Sequence, residues 1–169
     1  MTTYVAFLRG INVVGRNVVR MSELRDLCTS LGWEDVRTLL NSGNVVFRAQ
    51  KATPKALEEA LGGVRVILRT EGELRKVAEN NPFDPVRNPS YLHVAFCDKK
   101  VSADTLRDAY GDKGPEVIRG GGGRELYIDY VNGVGRSKLS HAYIERTLGA
   151  TATLRNWNTV TKLLAMASQ

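Results

Sequence analysis

The chain has 169 residues, 43% of them hydrophobic and 25% charged, with 24 Lys+Arg against 18 Asp+Glu for a formal charge of +6. At this length a folded chain buries roughly 70% of its extended surface, enough for one domain or two small ones without staples. No apolar run approaches the ~20 residues that span a bilayer, 1–9 is too short for a signal peptide, and two cysteines exclude a disulfide scaffold or a classical structural zinc site; a cytoplasmic protein with no membrane partner is expected.

Residues 4–8 are β-rich and apolar, and Arg9-Gly10 ends a first strand. Residues 11–17 mix turn formers with apolar residues and read as an ordered loop. Ser22 is expected to cap a helix whose Met21, Leu24, Leu27, Cys28 and Leu31 share a face and whose stop is Gly32. Two strands at 36–40 and 45–47 flank Asn41-Ser42-Gly43-Asn44, a hairpin signal. Pro54 opens a helix that the Gly62-Gly63 pair closes, and 64–69 alternates as a strand. This β-α-β-β-α-β order is the ferredoxin-like one.

Thr70 and Glu73 have the spacing of a capping box for a helix reaching about residue 79. The Asn/Pro-rich stretch 81–90 reads as a linker. We therefore expect a first ferredoxin-like unit with its following helix over 1–80 and a second α+β unit over 91–169. In the latter, a strand around Leu92, Val94 and Phe96 is followed by a short helix to Tyr110. Strands at 116–119 and 124–130 come next, then a helix over 138–148 ended by Gly149. The second half thus repeats β-α-β-β-α without clear sequence identity to the first, and residues 158–167 form an extra C-terminal helix. The fold class is α+β, two small units packed together.

No catalytic dyad is assigned. The four glycines at 120–123 lie between strands rather than opening a helix, so they read as a hairpin turn and not a phosphate loop. His93 and His141 lack partners at metal-ligand spacing, and Cys28 sits on an apolar helix face. Ser42, Ser137, His93 and Asp129 are conceivable catalytic groups without support. Gly133-Val134-Gly135-Arg136-Ser137-Lys138 is more informative: it joins a strand to a helix, offers Ser137 as a cap, and carries two cations where exposed amides attract anions. The same residues also suit a capped helix with solvated cations.

A second set of polar residues follows the first strand (Arg9, Asn12, Arg16, Asn17), occupies the hairpin (Ser42, Asn44) and precedes the last helix (Arg155, Asn156, Trp157, Asn158, Thr159, Lys162). Asn and Arg read carbonyl and phosphate oxygens by directed hydrogen bonds. Asn also closes turns and caps helices, and the two uses weigh evenly. Residues 133–169 hold five cations against Glu145 alone, a local +4.

Three of these stretches carry a resemblance. Phe7-Leu8-Arg9-Gly10-Ile11-Asn12-Val13, Ser42-Gly43-Asn44-Val45-Val46-Phe47 and Arg155-Asn156-Trp157-Asn158-Thr159-Val160-Thr161-Lys162-Leu163 resemble the signatures of the bacterial family called domain of unknown function 1697. Asn81-Pro82-Phe83, Leu92-His93-Val94 and the segment from Gly133 to Leu139 are similar to it as well. The sequence departs at Val14, where the family usually has a second glycine, and at Arg16, often lysine. The resemblance implies an α+β protein of two ferredoxin-like units and supplies no catalytic residue, cofactor or activity.

These residues point to a basic, Asn/Arg-lined cleft for a phosphate-containing ligand, either nucleic acid (RNA or DNA) or a nucleotide-like anionic small molecule. Arg9, Arg16, Arg155 and Lys162 would neutralise phosphate, and Trp157, if exposed, would stack on a base. The alternatives are an enzyme acting on a phosphorylated metabolite in that cleft, and a structural or protein-interaction module whose motifs are caps and turns. No cofactor and no oligomeric state is assigned.

Overall fold

A computed structural model describes residues 1–10, 19–39, 43–120 and 123–169. Two compact units emerge: Met1–Arg75 with Lys162–Gln169, and Lys76–Thr161. Residues 81–90 fall within the second unit.

The first unit contains β1 (Thr2–Leu8), α1 (Met21–Ser30), β2 (Glu34–Leu39), β3 (Asn44–Ala49), α2 (Pro54–Ala60) and β4 (Val66–Thr70). Its sheet is antiparallel with order β2-β3-β1-β4, the ferredoxin-like arrangement. Alternation sends Ala6, Leu8, Val45, Phe47 and Val66 to one face, where they meet Leu24 and Cys28 of α1 and Leu57 of α2 in a core. Trp33 stacks on Phe47 with centroids 3.9 Å apart and planes 4° from parallel. The opposite face carries Val5, Phe7, Val46 and Ile67, all buried. Helix α1 begins earlier than its Ser22 signal: Leu24 N–H donates to Arg20 O, and Arg20 occupies the cap position with no side-chain bond. Met21, packed against the core, draws the chain into the helix before Ser22. The expected capping box is present, Thr70 N–H donating to Glu73 Oε1 at 2.8 Å and Glu73 N–H to Thr70 Oγ1 at 3.1 Å. It starts α3 (Glu71–Glu79), which passes into the second unit at Lys76.

The second unit has β5 (Leu92–Cys97), α4 (Ala103–Tyr110), β6 (Val117–Gly120), β7 (Glu125–Asp129), α5 (His141–Leu148) and β8 (Ala152–Asn156), with antiparallel order β6-β7-β5-β8. Ala95, Cys97, Leu126, Ile128 and Ala152 meet Leu106 of α4 and Ile144 of α5 in its core. Helix α6 (Trp157–Ala167) follows β8 directly and passes into the first unit at Lys162.

Strand β8 was not expected from the sequence, and it completes the repeat. Val5-Ala6-Phe7 of β1 and Val94-Ala95-Phe96 of β5 occupy equivalent places, because Val5 pairs with Arg69 of β4 and Val94 with Arg155 of β8. Each arginine is buried and donates from Nη1 to the carbonyl just before it, Leu68 O at 3.0 Å and Leu154 O at 2.9 Å. Each strand then ends in a helix cap. The C-terminal helix, extra to the second ferredoxin-like unit as expected, is thus the counterpart of α3, which follows the first.

Candidate functional site

The expected polar set divides once placed on this frame. Asn12, Arg16, Asn17 and Ser42 lie outside the described residues. Asn44 is fully buried at the start of β3, where its Nδ2 donates to Leu39 O at 2.9 Å and closes the hairpin. Arg9 is half-buried, with its backbone N–H on Arg65 O. Arg155, expected at a helix start, is inside β8 and 8% exposed; Nη1 also donates to Thr153 Oγ1 at 2.5 Å. Burial lowers its pKa to about 10, which leaves it charged at neutral pH. Asn156 Oδ1 accepts from Thr159 N–H at 2.9 Å, so this pair caps α6. Trp157 is half-buried and donates its backbone N–H to Pro89 O, Asn158 reaches Ser90 Oγ at 3.2 Å, and Lys162 is exposed on α6.

Arg136, Ser137 and Lys138 are brought together with residues the sequence did not single out. They line a concavity of about 260 Å³ in the second unit, shared with Tyr110, Lys113 and Glu116. The loop that carries them is pinned at both ends. Gly133 N–H donates to Tyr130 O at 2.7 Å, and the buried Tyr130 hydroxyl donates to Leu139 O at 2.8 Å. Helix α5 starts only at His141, capped by Ser140 Oγ accepting from Tyr143 N–H at 3.2 Å. The cations thus precede the helix in a turn, and Ser137 does not cap it.

Ser137 Oγ instead accepts from Leu139 N–H at 3.0 Å and donates to Glu116 Oε1. Tyr110, 2% exposed at the end of α4, donates its hydroxyl to Glu116 Oε2 at 2.7 Å. Desolvation pushes the Glu116 carboxyl up, but the donations from Ser137, Tyr110 and its own backbone outweigh it and hold the group below the ordinary carboxylate range. Desolvation first, and the Glu116 carboxylate second, raise the Tyr110 phenol to about 12, so it remains a donor. The approach is close: a Cβ at Gly114 would collide with Glu116 Oε2 and Tyr110 Oη and make those side chains shift. With a donor on each of its oxygens, Glu116 ties the end of α4 to the loop that carries Ser137.

Lys113 Nζ reaches Ala109 O at 3.1 Å and the Tyr143 hydroxyl at 3.3 Å, and lies 5.4 Å from the Tyr143 centroid. Arg136 and Lys138 are exposed and make no hydrogen bond or ion pair among the described residues. Three cations face one carboxylate, and that carboxylate is already satisfied. The other groups considered from the sequence are engaged elsewhere: His93 is buried, edge-on to Tyr130 with centroids 5.1 Å apart, and Asp129 holds Arg87 at 3.0 Å. Among the described residues no cluster of His, Cys, Asp or Glu is placed to hold a metal ion, and no helix is long and apolar enough to cross a membrane.

The model of the family described as protein of unknown function, DUF1697, matches residues 1–127, most of the chain. The chain belongs to that family. A solved structure, the conserved bacterial protein SP0830 from Streptococcus pneumoniae, is similar at 25% identity with a TM-score of 0.73, covering 98% of each chain. No curated protein matches the chain. The DUF1697 match includes Tyr110, Lys113 and Glu116, and stops before Arg136, Ser137 and Lys138.

Tyr110, Lys113 and Glu116 escaped the sequence reading for a simple reason. Glu116 and Ser137 are 21 residues apart, and only the path of β6 and β7 returns one to the other. The available signal was Lys113-Gly114-Pro115-Glu116, a turn whose glycine has a packing reason.

Proposed function

We propose that this chain binds a phosphate-containing ligand, a nucleotide-like small molecule or nucleic acid, in the concavity of Lys113, Arg136 and Lys138. The observation that carries the reading is the convergence of three cations on a loop already ordered by the Tyr110–Glu116–Ser137 hydrogen bonds, with Arg136 and Lys138 uncommitted. A preordered loop lowers the entropy lost on binding, and free ammonium and guanidinium donors suit phosphate oxygens better than carbonyls. Asn44, Arg155 and Asn156 serve the fold in this reading, as hairpin closure, buried strand residue and cap.

The test is titration of the intact protein with inorganic phosphate, ATP and a short single-stranded RNA at low ionic strength, followed by NMR. At least one probe should bind, and Arg136→Gln/Lys138→Gln should weaken it about tenfold or more. A steep loss of affinity with salt for the RNA assigns nucleic acid, whereas tighter binding of ATP with a shallow slope assigns the small molecule. Absence of binding by all three probes, or a double variant that binds as the parent does, refutes the proposal.

A further inference from the structure

We propose that a second concavity in the same unit binds a small zwitterion with an apolar body, an α-amino acid with an apolar side chain. It measures about 210 Å³ and shares no residue with the phosphate concavity. Phe83, Pro85, Val86 and Leu92 supply an apolar wall, and Asp84 and Arg119 supply the charge.

The wall is rigid for local reasons. Asn81 Oδ1 accepts from Phe83 N–H at 3.0 Å, and Asn88 Oδ1 from Ser90 N–H at 2.9 Å; these two Asx turns bracket a segment whose backbone Pro82 and Pro85 already restrict. The Arg119 guanidinium lies 4.5 Å from the Phe83 centroid and donates from Nη1 to Pro82 O at 3.1 Å. Stacking and that bond orient the group while engaging one of its five N–H donors.

The charge inventory selects the ligand. Arg87 and Asp129 neutralise one another at 3.0 Å. Arg119 keeps its remaining donors, and the Asp84 carboxylate makes no hydrogen bond or ion pair among the described residues. One cation with donors to spare and one uncommitted anion beside an apolar wall leave no net charge. A phosphate dianion would meet Asp84, and a simple amine would meet Arg119. A ligand carrying both a carboxylate and an ammonium pairs with both groups, and its side chain takes the apolar wall.

The experiment is NMR titration of the full chain with L-leucine, L-methionine and L-phenylalanine, then with the N-acetyl and methyl ester forms of the tightest. The free amino acid should move the amides of Phe83 and Val86, and each blocked form should bind about tenfold more weakly. Arg119→Gln should lose the preference over the methyl ester yet keep the preference over the N-acetyl form; Asp84→Asn should do the converse. Misfolding cannot produce this crossed pattern. No shift at millimolar ligand, blocked forms that bind as well as the free amino acid, or natively dispersed variants that keep or lose both preferences together would each overturn the assignment.

Discussion

Tyr110→Phe isolates one bond of the phosphate concavity. The ring is 2% exposed and the substitution preserves its packing, so the change is confined to a hydroxyl that donates to Glu116 Oε2 at 2.7 Å. A bond to an ionised carboxylate contributes about 1.5–3 kcal/mol, and water reaching the half-buried Glu116 replaces part of it, leaving a loss of about 1–2 kcal/mol. For a chain of this size that lowers Tm by about 2–8 °C. The effect is tied to pH. Desolvation raises the Glu116 carboxyl while Ser137, Tyr110 and the backbone lower it further, so its folded pKa lies below the unfolded value of 4.5. Stability from such a group is fully present above the unfolded value and is lost as pH falls through the folded one. Urea unfolding of parent and variant at pH 7, and in acid below the folded pKa, should show a large difference in the first case and a small one in the second. The Glu116 carboxyl carbon, followed by NMR, should titrate higher in the variant. Gly114→Ala should raise the same titration from the other side, since its Cβ collides with both partners. An unmoved Glu116 titration, or an equal stability difference at both pH values, refutes the reasoning.

Two further outcomes are expected. Arg155→Ala removes a buried guanidinium that donates to Thr153 Oγ1 and Leu154 O, and should cost about 2–4 kcal/mol in denaturant unfolding. Phosphate-ligand affinity of the folded variant should be unchanged, and a selective loss of binding at full stability would return Arg155 to the site. Cys28 is fully buried and burial pushes its thiol up to about 12. It should therefore be inert to a thiol reagent at pH 8 and react only on unfolding. Because the unfolded thiol ionises near 9.0, its contribution to stability is complete below that value and declines as pH rises beyond it. A fast-reacting Cys28 in the native protein would contradict this packing.

The sequence was most legible where one local interaction decides the backbone. Thr70 and Glu73 announce α3 three residues apart, Pro54 opens α2, and Gly149 in the left-handed region closes α5. Strand β8 was illegible because Ala152 is a poor strand former and Arg155 reads as a surface cation; its position is set by pairing with β5, a long-range contact. The same lack of tertiary information made Ser137 look like a helix cap. Its bond to Glu116 depends on two strands returning the chain, and the α5 cap passes to Ser140 three residues later. Asn44 and Asn156 had local geometries that a sequence supports in two ways, and each makes the backbone bond of its turn or cap.

The placement of residues 162–169 has a consequence for the order in which the chain matures. They complete the first unit: Arg37 Nη1 donates to Gln169 Oε1 at 2.9 Å, and Arg75 Nη2 to Ser168 Oγ at 2.9 Å. The second unit is continuous in sequence and holds all of its residues once Thr161 has been synthesised. During synthesis from the N-terminus, residues 1–75 are therefore made well before the segment 162–169 that completes their unit, and the whole of the second unit is made in between. Strands β1 to β4 thus remain without that segment while residues 76–161 are being made.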